Sequence, residues 1–189
     1  MARPYIANGA RVLDVGCSDG ELFRQLGSRI GEGVGIDADL HESVEMPGFE
    51  LIPGTFPENL RDSRRFDVIT MLAVLEHVPR ERQADIARAC SRYLEPGGYL
   101  VVTTPAPVVD RILDVLLFLR LIDGMSLEQH YGFDPSDTPA IFSPHGLTLV
   151  KFRRFQLGLN NLFVFRKGAS DRHLTTPIAA TRPIDASGI

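Results

Sequence analysis

The chain of 189 residues is 44% apolar, with 17 Gly and 13 Pro, which suits one globular domain and excludes disordered and fibrous architectures. Its 20 Lys and Arg against 24 Asp and Glu give a net charge of −4 with no long run of either sign, so a nucleic-acid partner is not expected. Cys17 and Cys90 are too few for a disulfide framework, no apolar stretch reaches the roughly 18 residues of a membrane helix, and the opening Met1-Ala2-Arg3-Pro4-Tyr5 has no hydrophobic leader core; the expectation is a cytoplasmic protein.

From residue 10 onward, short apolar runs alternate with segments of helical spacing, the pattern of a parallel sheet flanked by helices. Val12 to Val15 predicts the first strand. Ser18-Asp19-Gly20-Glu21 then reads as a capping box, with Ser18 at the N-cap, opening a helix whose apolar positions are Leu22, Phe23, Leu26 and Ile30. Gly33 to Ile36 predicts the second strand, ending on Asp37, and Phe49 to Ile52 the third, closed by Pro53-Gly54. Phe66 to Met71 predicts a fourth. Pro79 suits the first turn of the next helix, which buries Ile86, Cys90, Tyr93 and Leu94 and stops at Glu95-Pro96-Gly97-Gly98. Tyr99 to Thr103 is then the fifth strand.

After Pro105 and Pro107 the pattern changes. Residues 108–122 hold 11 apolar side chains, and the charged Asp110, Arg111, Asp114 and Arg120 fall on one half of a helix. The apolar half could pack on the sheet, line a pocket or join two copies in a homodimer. Residues 124–146 are turn-rich. Leu147 to Leu157 and Leu162 to Phe165 predict an antiparallel hairpin whose turn contains Gly158, Asn160 and Asn161. Together these elements predict a doubly wound α/β fold with a mostly parallel, seven-stranded sheet ending in that hairpin. Residues 1–167 form the expected domain, with 105–146 as an insertion capping its ligand side, and 168–189, which lack hydrophobic periodicity, as a disordered tail.

The most informative segment is Leu13-Asp14-Val15-Gly16-Cys17-Ser18-Asp19-Gly20, a glycine-containing turn between the first strand and first helix, where a ligand can approach backbone. Its spacing, Asp14-x-Gly16-x-x-x-Gly20, is not the G-x-G-x-x-G of a dinucleotide fingerprint. A carboxylate at the end of the first strand is ill placed beside a pyrophosphate and well placed for an ammonium group, which disfavours a nicotinamide-dependent oxidoreductase. Asp37, at the end of the second strand, can accept from both hydroxyls of a ribose. An amine and a ribose without phosphate describe S-adenosylmethionine.

Through VLDVGCSDGEL, VGIDADL, FDVITMLAVLEHV, LEPGGYLVVTTP and the terminal hairpin, over residues 10–167, the chain resembles the class I, Rossmann-like S-adenosylmethionine-dependent methyltransferases. The resemblance implies that Asp14, Gly16, Cys17, Ser18 and Gly20 surround the methionine portion of the cofactor and that Asp37 holds its ribose. It further implies that Ala38, Thr55 and Phe56 border the adenine, that Met71 and Leu72 bring backbone near the methionine amine, and that S-adenosylhomocysteine is the product. Two departures stand out. Ser18 occupies a position where many relatives have glycine, and Gly54-Thr55-Phe56 offers no acid after the third strand, leaving the Thr55 hydroxyl to accept from the adenine without charge assistance.

Candidate catalytic residues are His77, His130 and Tyr131. His77 either acts as a general base on an acceptor hydroxyl or orients the cofactor loop; His130 and Tyr131 lie in the insertion over the acceptor pocket, for acceptor contact or proton removal or simply as loop packing. Cys17 reads mainly as a small filler, His145 as a turn residue, and Lys151, Arg153 and Arg154 as the solvated face of an edge strand. Neither His41, His173 nor the other histidines show metal-ligand spacing. Thr70-Met71-Leu72-Ala73 stands where enzymes that methylate DNA amines and many protein or RNA amides carry Asn-Pro-Pro-Tyr or Asp-Pro-Pro-Tyr. A small-molecule acceptor is therefore expected, apolar, lipid-like or sugar-linked, methylated on O or C. Only about ten residues precede the first strand, so the cap must come from 105–146. The alternative is a non-catalytic protein of the same fold that binds the cofactor in a regulatory or partner role.

Overall fold

The computed structural model describes residues 1–61, 63–106 and 133–169. The predicted helix at 108–122, with the homodimer face assigned to it, lies outside the described residues, as do most of the predicted cap and the predicted tail from residue 170 onward. The strands are β1 (Ala10–Val15), β2 (Ile30–Asp37), β3 (Val44–Met46), β4 (Phe49–Pro53), β5 (Phe66–Leu72), β6 (Leu94–Pro105), β7 (Leu147–Phe155) and β8 (Asn160–Lys167). The α-helices are α1 (Glu21–Leu26), α2 (Arg80–Tyr93) and α3 (Thr138–Phe142). One sheet runs in the order β3-β4-β2-β1-β5-β6-β8-β7.

The five central strands β4, β2, β1, β5 and β6 are parallel, and β8 and β7 close one edge antiparallel. β1 lies between β2 and β5 with both faces covered, which is why it reads as a continuous apolar run instead of an alternating one. Alternation still sorts its residues. Leu13, Ile69, Leu100 and Val102 point into a core with Ile86, Ala87, Cys90 and Tyr93 of α2 and Phe142 of α3. Val12, Val68 and Val101 point into the opposite core, with Phe23 and Leu26 of α1 and with Ala2 and Ile6 before the first strand.

The doubly wound sheet and its antiparallel hairpin agree with expectation, but the described residues form eight strands and not seven. The additional one, β3, is a three-residue strip paired antiparallel to β4 and almost entirely exposed, so it carries no hydrophobic signal. The first helix is shorter than its apolar spacing predicts. It stops at Leu26, where Gly27 adopts φ +54, and Ile30 opens β2 instead of extending the helix. The Glu95-Pro96-Gly97-Gly98 stop is an irregular stretch inside β6: Leu94, which was placed on the helix face, is already extended and paired with Phe66. Asn160 and Asn161, expected in the hairpin turn, begin β8, and the turn runs through Gln156, Leu157, Gly158 and Leu159. Lys151, Arg153 and Arg154 are exposed on the edge strand β7, as expected.

Candidate active site

The carboxyl ends of β1, β2, β4 and β5 meet around the turn that follows β1. Asp37, the last residue of β2, ties this region together. Its carboxylate accepts from Ser18 N–H at 2.7 Å through one oxygen and from Asp39 N–H at 2.9 Å through the other. Its carbonyl accepts from Gly54 N–H at 2.9 Å, just past the end of β4. One residue thus fixes the tips of β2 and β4 and the turn after β1, while its carboxylate keeps lone pairs for a ligand.

The turn itself differs from the predicted capping box. The N-cap of α1 is Gly20, at φ +82, with no side-chain cap, and Ser18 sits at φ +47 with its N–H directed to Asp37. Glu21, the expected partner of Ser18, instead accepts from Gln25 and Arg24, both at 3.0 Å. Helix side chains one turn on are simply nearer to it than the Ser18 backbone. Gly16, at φ +74, is indispensable for a second reason: a Cβ there would lie 2.3 Å from a methyl of Val74.

Asp14 lies behind this turn rather than on an open wall. It is 3% exposed and accepts from the Thr70 hydroxyl at 2.6 Å. Burial pushes its carboxyl up to about 7, the Thr70 bond opposes that, and the nearby charge of Asp37 adds to it. Cys17 is buried too, its Sγ seated where a Cβ on Gly35 would be, 2.6 Å away, and burial raises its thiol to about 12. That is a packing role, not a nucleophile's.

In front of the turn opens a cleft of about 690 Å³, within the range of small-molecule sites. Of the residues singled out from the sequence, Gly16, Asp37, Ala38, Thr55, Phe56, Met71, Leu72 and His77 line it. Asp14, Cys17, Ser18 and Gly20 do not line it; Asp14, Cys17 and Gly20 are buried, and Ser18 is exposed. His77 ends a 3-10 turn, Leu75–His77, that follows β5 and leads into α2. His130 and Tyr131 fall outside the described residues. Sequence reasoning missed Ala73, Val74, Val78, Pro79, Arg82 and Ile86, which form the wall on the α2 side. No residue type announces them: Ala73, for example, follows the strand in the left-handed region, at φ +58, with its N–H on Thr103. No metal-holding group of His, Cys, Asp or Glu occurs among the described residues.

A family profile described as a methyltransferase domain matches residues 2–151. The chain belongs to the class I S-adenosylmethionine-dependent methyltransferases. The ubiquinone biosynthesis O-methyltransferase of Alkalilimnicola ehrlichii is 39% identical over 143 residues, 68% of this chain and 57% of that one. Its counterpart in Acinetobacter baumannii is 30% identical over 158 residues, 75% of this chain and 65% of that one. This chain therefore spans less than two thirds of the length of either relative. An S-adenosylmethionine-dependent methyltransferase of Methanosarcina mazei matches with a TM-score of 0.66 at 18% identity, covering 88% of this chain and 96% of that one; the likeness is one of fold.

S-adenosylmethionine is the cofactor of this family, and the residues of the cleft fit it. Asp37 and Asp39 put two carboxylates on its wall, chemistry that suits a ligand with hydroxyls and a positive charge better than a pyrophosphate. No described helix is long and apolar enough to cross a membrane.

Proposed function

We propose that this chain methylates a small apolar molecule on oxygen or carbon, using S-adenosylmethionine. The observation that carries the reading is Asp37, held by backbone bonds from two loops at the edge of a cleft that also reaches His77. When bound, the cofactor supplies a methyl group already activated by its sulfonium. The protein's task is then alignment, exclusion of water and, for an alcohol acceptor, removal of a proton.

In this reading Asp37 accepts from the ribose hydroxyls, Met71 and Leu72 offer backbone near the amino-acid end, and Gly16 lets that end lie against the turn. Asp14, buried and bonded to the Thr70 hydroxyl, braces β1 against β5 beneath the turn. His77 takes the proton from an acceptor hydroxyl. The names of the relatives, which are O-methyltransferases of ubiquinone biosynthesis, favour a hydroxylated aromatic or lipid-like acceptor.

Two measurements test this. Isothermal titration should show micromolar binding of S-adenosylmethionine and S-adenosylhomocysteine, and transfer of labelled methyl should occur to at least one compound in a set of apolar phenols and alcohols. Binding of neither cofactor form would refute the reading. Binding without transfer to any acceptor would favour the non-catalytic alternative.

A further inference from the structure

At the amino ends of β5 and β6, the edge of the sheet opposite the cleft, positive charge gathers in a chain whose net charge is −4. Arg65 stands immediately before β5, Arg88 and Arg92 lie one turn apart near the end of α2, and Lys167 ends β8. With His145 and Asp85, these four line a surface cleft of about 590 Å³. A second cleft, of about 500 Å³, shares Arg65 and Arg92 with it and adds Arg61 and Arg64. Few carboxylates answer this charge. Arg88 pairs with Asp85, Arg64 with Glu32 and Glu50, and Glu95 is taken by Arg11 at 2.8 Å. Arg61, Arg65 and Arg92 form no ion pair among the described residues; Asp62 lies outside them.

Two of these cations meet on a neutral atom. Lys167 Nζ and Arg65 Nη1 both donate to the Leu94 carbonyl, at 2.7 and 3.3 Å, and Lys167 donates also to the Ser91 carbonyl at 2.6 Å. Like charges that share one uncharged acceptor repel. The Lys167 ammonium is accordingly held below the usual lysine range, by burial first and by the charge of Arg65 second, with Glu95 opposing. Arg92 is anchored on Tyr93, its guanidinium 4.7 Å from the ring centroid and donating to the hydroxyl at 3.0 Å, and its remaining N–H groups are left for a ligand. The carboxyl end of α2 by itself repels an anion, but its Ser91 and Leu94 carbonyls are already covered by Lys167 and Arg65. We propose that this cleft binds a soluble phosphate monoester, its dianionic phosphate held by Arg65, Arg92 and Lys167 with Arg88 beside them. One guanidinium fork satisfies a carboxylate, whereas donors from three separate elements, the loop before β5, α2 and β8, suit the several oxygens of a phosphate. The dianion supplies the negative charge missing between Arg65 and Lys167. None of these residues lines the cofactor cleft, so the inference stands apart from the cofactor reading.

The test is isothermal titration with inorganic phosphate and with glycerol 3-phosphate, near pH 8, where both are dianions, and in about 150 mM NaCl, where long-range attraction is screened. Wild-type protein should bind both saturably, one to one, with Kd below about 1 mM. Arg65→Ala and Arg92→Ala should each weaken binding by about tenfold or more, and Arg65→Lys, which keeps the charge and loses the fork, by less. Arg154→Ala, which removes an exposed arginine at the other end of the hairpin, should leave phosphate affinity unchanged. Arg65→Ala should also leave the circular dichroism and the affinity for S-adenosylhomocysteine unchanged. No saturable binding of either phosphate by the wild type would overturn the proposal, as would full affinity in Arg65→Ala and Arg92→Ala, or a loss in Arg154→Ala equal to theirs. Sedimentation with phosphatidylglycerol vesicles without binding of either soluble probe would overturn it too, and would assign the charge to a membrane surface.

Discussion

Asp37 and Asp14 are both carboxylates toward the ends of neighbouring strands, β2 and β1, and their surroundings give them opposite properties. Asp37 is fixed by two backbone N–H groups and open to the cleft. Asp37→Ala should therefore weaken cofactor binding by at least several-fold, since bonds to a charged acceptor contribute about 1.5–3 kcal/mol; calorimetry with unchanged affinity would count against its role. Asp14 is buried, with its carboxyl raised to about 7. A carboxyl whose folded pKa lies above its unfolded value contributes stability that is complete below the unfolded value and is lost as pH rises through the folded one. Wild-type stability relative to Asp14→Asn should thus fall between about pH 4 and pH 7, as read from urea unfolding at several pH values. For His77, the base assignment predicts that His77→Ala lowers kcat while leaving cofactor affinity nearly intact. Full activity in that variant would remove His77 from the chemistry.

At the scale of elements, α2 does most to connect the core with the cleft. Its first turn brings Arg82 to the cleft wall, its middle buries Ile86, Ala87 and Cys90, and its end places Tyr93, whose hydroxyl donates to the Leu60 carbonyl at 3.0 Å and whose ring meets Phe56 at 5.8 Å. Open carbonyls where the helix ends are satisfied from the hairpin side of the sheet: Lys167 of β8 donates to the carbonyls of Ser91 and Leu94 at 2.6 and 2.7 Å. Lys167→Met should cost about 1–2 kcal/mol of stability without changing cofactor affinity, and denaturant unfolding paired with calorimetry separates the two. This contact joins residues more than 70 positions apart in the chain. No local pattern reveals it, whereas the helix itself was plain from Ile86, Cys90 and Tyr93 at helical spacing.

On the scale of the whole molecule, the cleft draws its walls from β1, β2, the loop after β4, β5 and α2 together, so a ligand there bridges most of the fold. Occupancy should stabilise all of it. At a hundredfold excess over its dissociation constant a ligand adds about 2.7 kcal/mol, and for a chain of this size that should raise the unfolding midpoint by roughly 5–10 °C in S-adenosylhomocysteine. No shift in a thermal melt would mean that the described walls do not act as one site.

The parallel strands, the second helix, the turn after β1 and Asp37 at the end of β2 could all be read from the chain alone, because each has a local cause: a buried apolar run, a helical period, glycines at a turn, an acid at a strand's end. The capping role of Ser18 could not be judged in the same way. Whether a serine caps a helix depends on what else competes for Glu21 and for the Ser18 N–H, and here Arg24, Gln25 and Asp37 win. The strip β3 was illegible because an exposed edge buries nothing, and the walls from Arg82 and Ile86 because a helix face points to a cleft only once the sheet has set the helix's position. The sequence by itself determined the order of elements and the chemistry of the turn. Which carboxylate faces a ligand, which lies buried beneath it, and how Arg65 and Lys167 come to share the Leu94 carbonyl were decided only by tertiary packing, since solvent access and hydrogen-bond competition belong to neighbours in space and not to neighbours in the chain.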